Sequence, residues 1–404
     1  MITLPNSASH SGLNGKRKLH LLEIIGNAIV GGMEQHVRAL IAHLPSEQFR
    51  ITCICPYASP FTTELRRMGC HVLIMPIRDD PPWRSIQSGI AWVKEFDVDL
   101  IHAHLPNAHA LGGLIGGLTQ TPVVATIHGM YLTPLDIGIS QTAGTHLLLV
   151  CQAAYSQALA LGISKRNISL IPNGVDLRRF QPRGGRALRR ALGVSADTPL
   201  VGFVGRLAWE KGPDRFVRAA ELIHHERPDV RFVIVGSGGM EDQLSKMVKQ
   251  AKLDRCVRMV GLSQDTSVVY PALDIVVQPS RVEGLPLAVL EAMACARPVV
   301  GMAVGGLPEL IEPGTTGFLI ESGDWQGVTH QFPNDWEGIA SAVLYLLKHP
   351  ALMKQMGQAA RARVESNFDI QQNIRETTDL VRRLTFTRRE ARLGGARAEF
   401  ATAA

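Results

Sequence analysis

The sequence predicts an α/β protein made of two doubly wound parallel sheets that face each other across a cleft. Three observations lead there. Short apolar runs alternate with helical patterns along most of the chain. The alternation breaks once, over residues 173–197, where Gly174, Pro182, Gly184 and Gly185 cluster. The same rhythm then resumes. Strand–helix alternation implies parallel strands joined by crossover helices that cover both faces. At 404 residues the chain is too long for one ordinary core and long enough for two.

The elements follow in order. Residues 1–18 are rich in Ser, Asn and Gly and are expected to lack order. The first domain, 19–176, has apolar runs at 19–25, 51–55, 71–75, 100–102, 123–127, 147–150 and 168–171. Each is short enough for a buried strand. Helical patterns lie between them at 33–44, 61–68, 84–95, 107–118 and 153–162. Residues 177–198 form the linker. The second domain, 199–366, has strands at 200–204, 231–235, 257–260, 275–278, 298–301 and 317–320. Its helices fall near 213–226, 240–252, 285–295, 335–348 and 350–366. Residues 322–335, with Gly323, Gly327 and Pro333, read as an insertion. A last helix is expected over 369–386, and little order in the basic tail 388–404.

Hydrophobic residues make up 46% of the chain, as in a packed globular protein. A net charge of +6 suits anionic ligands but is too modest to argue for nucleic acid, and no basic helix interleaved with aromatics occurs. The late arginines, from Arg382 to Arg397, read as a solvated tail or as a weak contact with anionic membrane. The six cysteines lie in apolar contexts, and Cys53 and Cys55 have the wrong spacing for a Cys-x-x-Cys site. Reduced, buried thiols of a cytosolic protein fit best. No convincing signal peptide and no run of about 20 apolar residues is present.

Residues 280–294 read Ser-Arg-Val-Glu-Gly-Leu-Pro-Leu-Ala-Val-Leu-Glu-Ala-Met-Ala. Pro286 suits the first turn of a helix, where no intrahelical N–H is needed. Glu283 then lies on the loop before that helix, and Glu291 on its flank. Two such carboxylates can grip hydroxyls at two places on a long ligand. The free N–H groups of the first turn, between them, favour an anion. The spacing alone also arises on any surface helix. The combination suits a sugar joined to a nucleotide through a diphosphate.

A second anion signature stands at 202–212, Gly-Phe-Val-Gly-Arg-Leu-Ala-Trp-Glu-Lys-Gly. Gly205 allows a tight exit from the strand. Arg206 and Lys211 follow on the loop before the helix that starts near Pro213. Two cations on a glycine-bearing loop at the carboxyl end of a strand make a diphosphate cradle. A solvated basic loop is the plainer alternative.

These segments resemble the retaining glycosyltransferases of family 4, which have the GT-B fold of two Rossmann-like domains. Gly31-Gly32-Met33-Glu34, Ile127-His128-Gly129 and Ile171-Pro172-Asn173-Gly174-Val175-Asp176 resemble three further segments of that family. The similarity spans about residues 19–386. It implies that the last helix packs back on the first domain. It assigns Glu291 to the ribose hydroxyls of a nucleotide-diphosphate sugar. Glu283, with the backbone near Gly284 and Leu285, would hold the transferred sugar. Gly31 and Gly32 would bring backbone N–H groups near the phosphates from the opposite domain, an approach that needs a residue without a side chain. His128 would sit on the cleft floor near the anomeric carbon or the acceptor; its other reading is a strand-end histidine bonded to backbone.

The implied reaction passes a sugar from a UDP-sugar to a saccharide or lipid-linked acceptor with retained anomeric configuration. Fixed cations at Arg206 and Lys211 would stabilise the departing diphosphate. The implied setting is bacterial surface or exopolysaccharide biosynthesis at the cytoplasmic face, with peripheral membrane contact. No metal and no cofactor is expected. Asp97-Val98-Asp99 has the metal-diphosphate pattern of the other glycosyltransferase fold, but it precedes a strand and reads as a turn. His102 and His104 share a strand face, with His109 nearby, and allow a zinc reading; no carboxylate or cysteine partner is evident for them. Gly236-Ser-Gly238-Gly239 lacks the full Gly-x-Gly-x-x-Gly and reads as a wall of the nucleotide pocket. Gly305-Gly306-Leu307-Pro308-Glu309 resembles another family loop beside the donor. Two rival functions on this architecture are a nucleotide-sugar epimerase and a non-catalytic sugar-nucleotide-binding subunit.

Overall fold

The computed structural model describes residues 17–402 apart from Val30, Gln264 and 322–334, with backbone alone for 387–402. The expectations for 1–16 and for an insertion at 322–334 lie outside the described residues.

Seven parallel strands form the first sheet: β1 (Leu19–Ile25), β2 (Phe49–Cys55), β3 (His71–Ile74), β4 (Leu100–His104), β5 (Val123–Ile127), β6 (His146–Leu149) and β7 (Ile168–Leu170). Their spatial order is β3-β2-β1-β4-β5-β6-β7. Six more form the second: β8 (Leu200–Val204), β9 (Arg231–Val235), β10 (Val257–Met259), β11 (Ile275–Gln278), β12 (Val299–Met302) and β13 (Gly317–Ile320). These run β10-β9-β8-β11-β12-β13, also parallel. Helices cover both faces, so central strands such as β4, β5 and β8 are buried along their whole length. Strand order reverses between β1 and β4, and again between β8 and β11. Open α/β sheets bind ligands in the crevice beyond such switch points, at the carboxyl ends.

Differences from the expected elements have physical reasons. A helix over Pro134–Ala143 is unexpected, because its buried residues are Asp136 and Ser140 and it carries no apolar stripe. Its start is instead marked by a capping box between Thr133 and Asp136. A short helix, Arg186–Ala191, stands within the stretch read as linker. The last helix spans Ile370–Thr402, so residues 388–402, expected to lack order, are helical. It begins against the first domain. Val175 N–H donates to Phe368 O (2.9 Å), Ile370 N–H donates to Val175 O (3.1 Å) and Asn373 Nδ2 donates to Pro172 O (2.7 Å). All six cysteines are buried and free. One apolar cluster runs through both domains, with Val150 and Val175 touching the same core as Leu285 and Leu307.

Candidate active site

The loops after β8 and β11 meet at the switch point of the second sheet. Gly212 makes the close approach: its φ is +64°, and a Cβ there would lie 2.1 Å from Pro279 O. Only glycine fits this left-handed position against a neighbouring backbone. The approach brings Lys211 beside Glu283. Lys211 Nζ donates to Glu283 Oε2 at 2.7 Å. The other carboxylate oxygen accepts from Gln278 Nε2 at 2.9 Å and Ser280 Oγ at 2.8 Å. Glu283 is 4% exposed, whereas the Lys211 side chain keeps 26% of its surface open.

The first domain closes on this loop from across the cleft. A Cβ on Gly284 would lie 2.0 Å from His128 O. Asn173 Nδ2 donates to Leu285 O at 2.7 Å, and Gly306 N–H donates to Gly284 O at 2.8 Å. The Glu283–Leu285 turn is therefore held between the His128 strand end and the Gly305-Gly306 loop. Gly236-Ser237-Gly238 backs the other loop: Gly205 N–H donates to Val235 O and Leu207 N–H to Ser237 O, each at 2.9 Å. Glu309 Oε1 accepts from Gln152 N–H across the domains at 2.7 Å.

Arg206 stands apart. Its side chain is 61% exposed and bonds Glu210 at 2.5 Å, not Glu283. Its charge reaches Glu34 across the cleft. Gly31 is the N-cap of the helix Gly32–His43, and the Glu34 carboxylate lies over it, 3.1 Å from where a Cβ would stand. Glu34 also accepts from Asn27 Nδ2 at 2.9 Å, and burial raises its pKa.

Glu291 lies on the helix Leu287–Ala294 and opens to an interdomain cavity of about 280 Å³, which Arg38, Asp176 and Arg179 also line. Lys211 and Glu283 do not line it. Thr266 Oγ1 donates to Glu291 Oε2 at 3.1 Å. Burial pushes the Glu291 carboxyl up to about 7. The four residues that the sequence assigns to one nucleotide-sugar ligand thus fall into a tight Lys211–Glu283 pair, an outward Arg206, and a separate Glu291 cavity.

Behind His128 lies a buried polar cluster. His128 Nε2 is 3.0 Å from His104 Nδ1, and His104 Nε2 is 2.9 Å from Glu23 Oε2. His102 reaches Glu23 through Nδ1 (3.2 Å) and Thr126 Oγ1 through Nε2 (2.7 Å). His36 stands edge-on to His128, with ring centroids 5.0 Å apart. Burial lowers His36 to about 3 and His104 to about 4, and holds His128 well below the usual imidazole range. The Glu23 carboxyl is pushed the other way from what burial alone would do, below its ordinary value, by the imidazoles of His102 and His104.

The expectation that His102 and His104 lack a carboxylate partner is overturned by Glu23. Among the described residues these three form the one group close enough to share a metal, with ligand atoms within 4.8 Å. Each ring nitrogen there already has a hydrogen-bond partner. His109 turns away to Asp136 and Thr145. Asp97 and Asp99 form the expected turn, Asp97 with φ +53° and Asp99 accepting from His20 N–H at 2.9 Å. Glu23 is the residue that motif reading misses. Its signal is a lone carboxylate in the apolar run Leu-His-Leu-Leu-Glu-Ile-Ile, a place that charge tolerates only when paired.

A family model for glycosyl transferases group 1 matches residues 186–363, and one for Glycosyltransferase Family 4 matches residues 30–179. The D-inositol 3-phosphate glycosyltransferase of Corynebacterium jeikeium is 32% identical over 291 residues, 65% of this chain and 67% of that one. The GDP-mannose-dependent monoacylated alpha-(1-6)-phosphatidylinositol monomannoside mannosyltransferase of Corynebacterium glutamicum is 32% identical over 84% of this chain and 91% of its own. Among solved structures, Anabaena Alr3699/HepE in complex with UDP-glucose shares the fold, with a TM-score of 0.78 at 21% identity, over 90% of this chain and 99% of that one. With both halves matched and a near full-length relative at this identity, the chain belongs to the group 1 glycosyltransferases of family 4, which have the GT-B fold.

Proposed function

We propose that this glycosyltransferase passes a sugar from a UDP-sugar to a saccharide or lipid-linked acceptor, with retention of anomeric configuration and without a metal. The observation that carries the reading is the Lys211–Glu283 contact at the carboxyl end of the second sheet, opposite His128. Lys211 and the outward Arg206 supply cations for the diphosphate, so a divalent ion is not needed to neutralise it. The Asp97–Asp99 turn supports the same view, since it sits at the amino end of β4 and is engaged with Arg17 and His20. Glu283 takes the transferred sugar, and Glu291 takes the ribose hydroxyls. Gly284 and Leu285 contribute backbone, and Gly31 and Gly32 approach the phosphates once Glu34 gives way. His128 faces the transferred sugar.

One relative is named for GDP-mannose and one structural neighbour holds UDP-glucose. Relatives named for inositol phosphate and phosphatidylinositol mannoside acceptors support a role in cell-surface glycan or glycolipid synthesis. Among the described residues no helix is long and apolar enough to cross a membrane.

A thermal-shift screen of UDP-, GDP- and ADP-sugars tests the donor, because a ligand that binds only the folded state raises the melting temperature. The UDP-sugar series is expected to give the largest shift. Incubation of the best donor with acceptor in EDTA, with the product read by NMR, then tests the chemistry. An α-linked product from an α-linked donor supports the reading. An inverted product, an epimerised donor, or binding without nucleotide release overturns it.

A further inference from the structure

The proposed transfer uses His128 but nothing behind it, and behind it Glu23, His102 and His104 form a buried hydrogen-bonded cluster. β1 and β4 run side by side with Glu23 in register with His102 and Ile25 with His104. Alternate residues of a strand share a face, so both imidazoles flank one carboxylate. Glu23 is fully buried and His104 is 0% exposed.

The protons in this chain of contacts can be counted. An ionised carboxylate only accepts. Glu23 therefore takes an N–H from His102 Nδ1 and another from His104 Nε2. A neutral His104 with its proton on Nε2 leaves a lone pair on Nδ1. The partner of that lone pair, at 3.0 Å, is His128 Nε2, which must bring the hydrogen. A neutral His128 with its proton on Nε2 has an unprotonated Nδ1, for which no described residue provides a partner. The count does not depend on the charge of His102, whose second nitrogen meets a hydroxyl that can donate or accept. Burial keeps His104 and His128 neutral near pH 7.

We propose that Glu23 is a positioning residue: acting through His104, it locks His128 as the Nε2–H tautomer, so that Nδ1 accepts a hydrogen bond from a hydroxyl of the bound sugar. The second half of this rests on the reading of His128 as part of the transfer site. The first half does not, because a tautomer is read without substrate.

Long-range proton–nitrogen correlation spectra of full-length protein labelled at histidine nitrogens test it, with the His128 signals assigned by their loss in H128N. Nδ1 is expected unprotonated and Nε2 protonated. In H104L, which removes the acceptor, the two tautomers are expected to mix and kcat to fall about tenfold, the worth of one hydrogen bond. H104N puts an amide oxygen near the lost Nδ1 and is expected to restore the tautomer and part of the rate. If H104L fails to fold, the native spectrum can still overturn the lock, and H104N carries the comparison. A protonated Nδ1 on native His128, an unchanged tautomer in folded H104L, or stoichiometric zinc in the purified protein overturns the proposal. A locked tautomer in a protein that turns over no donor sustains the lock and contradicts the transfer reading instead.

Discussion

The Lys211 ammonium lies 2.7 Å from the Glu283 carboxylate, and each group keeps capacity to spare. Lys211 has three N–H donors and spends one on Glu283. Glu283 has about four acceptor positions and receives three donors, from Lys211, Gln278 and Ser280. Two N–H groups remain for phosphate oxygens and one carboxylate lone pair for a sugar hydroxyl. In the proposed transfer the pair would link a phosphate subsite to a sugar subsite, besides being a structural contact.

K211A is expected to lower nucleotide release by about 10–100-fold, since a hydrogen bond to a charged group is worth about 1.5–3 kcal/mol. It also leaves the buried Glu283 without its cation, so the melting temperature is expected to fall too. Steady-state nucleotide release and a thermal melt check both effects. Wild-type kinetics in K211A contradict a role for the pair in transfer.

R206A is expected to behave differently. Arg206 is exposed and, among the described residues, held by Glu210 alone, so its loss costs the fold little. Donor KM is expected to rise several-fold while the melting temperature stays within about 1 °C, as is usual for surface changes of under 0.5 kcal/mol. A large drop in stability argues that Arg206 is structural.

G284A drives a methyl group into His128 O, across the domain boundary. Backbone cannot give way as a flexible side chain does, so the two domains must separate or the turn must shift. Activity is expected to drop by at least tenfold, with an increased radius of gyration in small-angle scattering. An active, equally compact variant contradicts the close approach.

Two opposite pH effects are expected in the unliganded protein. Glu291 binds its proton more tightly folded, at about 7, than at its ordinary 4.5. Its contribution to stability is full below about 4.5 and is lost as pH rises through 7. His36 and His104 resist protonation when folded, at about 3 and 4 against an ordinary 6.5. Their contribution is full above 6.5 and is lost as pH falls toward 4 and then 3. Denaturant melts of wild type and E291Q from pH 4 to 8 check both signs. E291Q is expected to remove only the decline near neutrality. Donor affinity is expected to rise through pH 7 in wild type but not in E291Q, because ribose hydroxyls need the ionised carboxylate as acceptor.

The strands are legible in the sequence because parallel strands buried on both faces read as unbroken apolar runs. Their ends are less so: β4 extends to His104, beyond the apolar residues, because its backbone stays paired with Ile25 of β1 and Thr126 of β5. The Pro134–Ala143 helix hides because its buried positions are polar. In the site, the Lys211–Glu283 contact follows from two loops at one switch point. Which way Arg206 turns does not, because an exposed side chain takes its nearest partner, here Glu210 four residues on. Glu23 escapes motif reading because its meaning lies in a neighbouring strand, 79 and 81 residues away at His102 and His104.

Lys211 and Glu283 are proposed to bound one donor site across from His128. A crystal structure with UDP-sugar bound tests it most directly. The diphosphate is expected within hydrogen-bond distance of Lys211 Nζ and Arg206, with a sugar hydroxyl on Glu283 and the ribose on Glu291. A donor seated away from Lys211, with the Lys211–Glu283 contact intact and untouched, contradicts it.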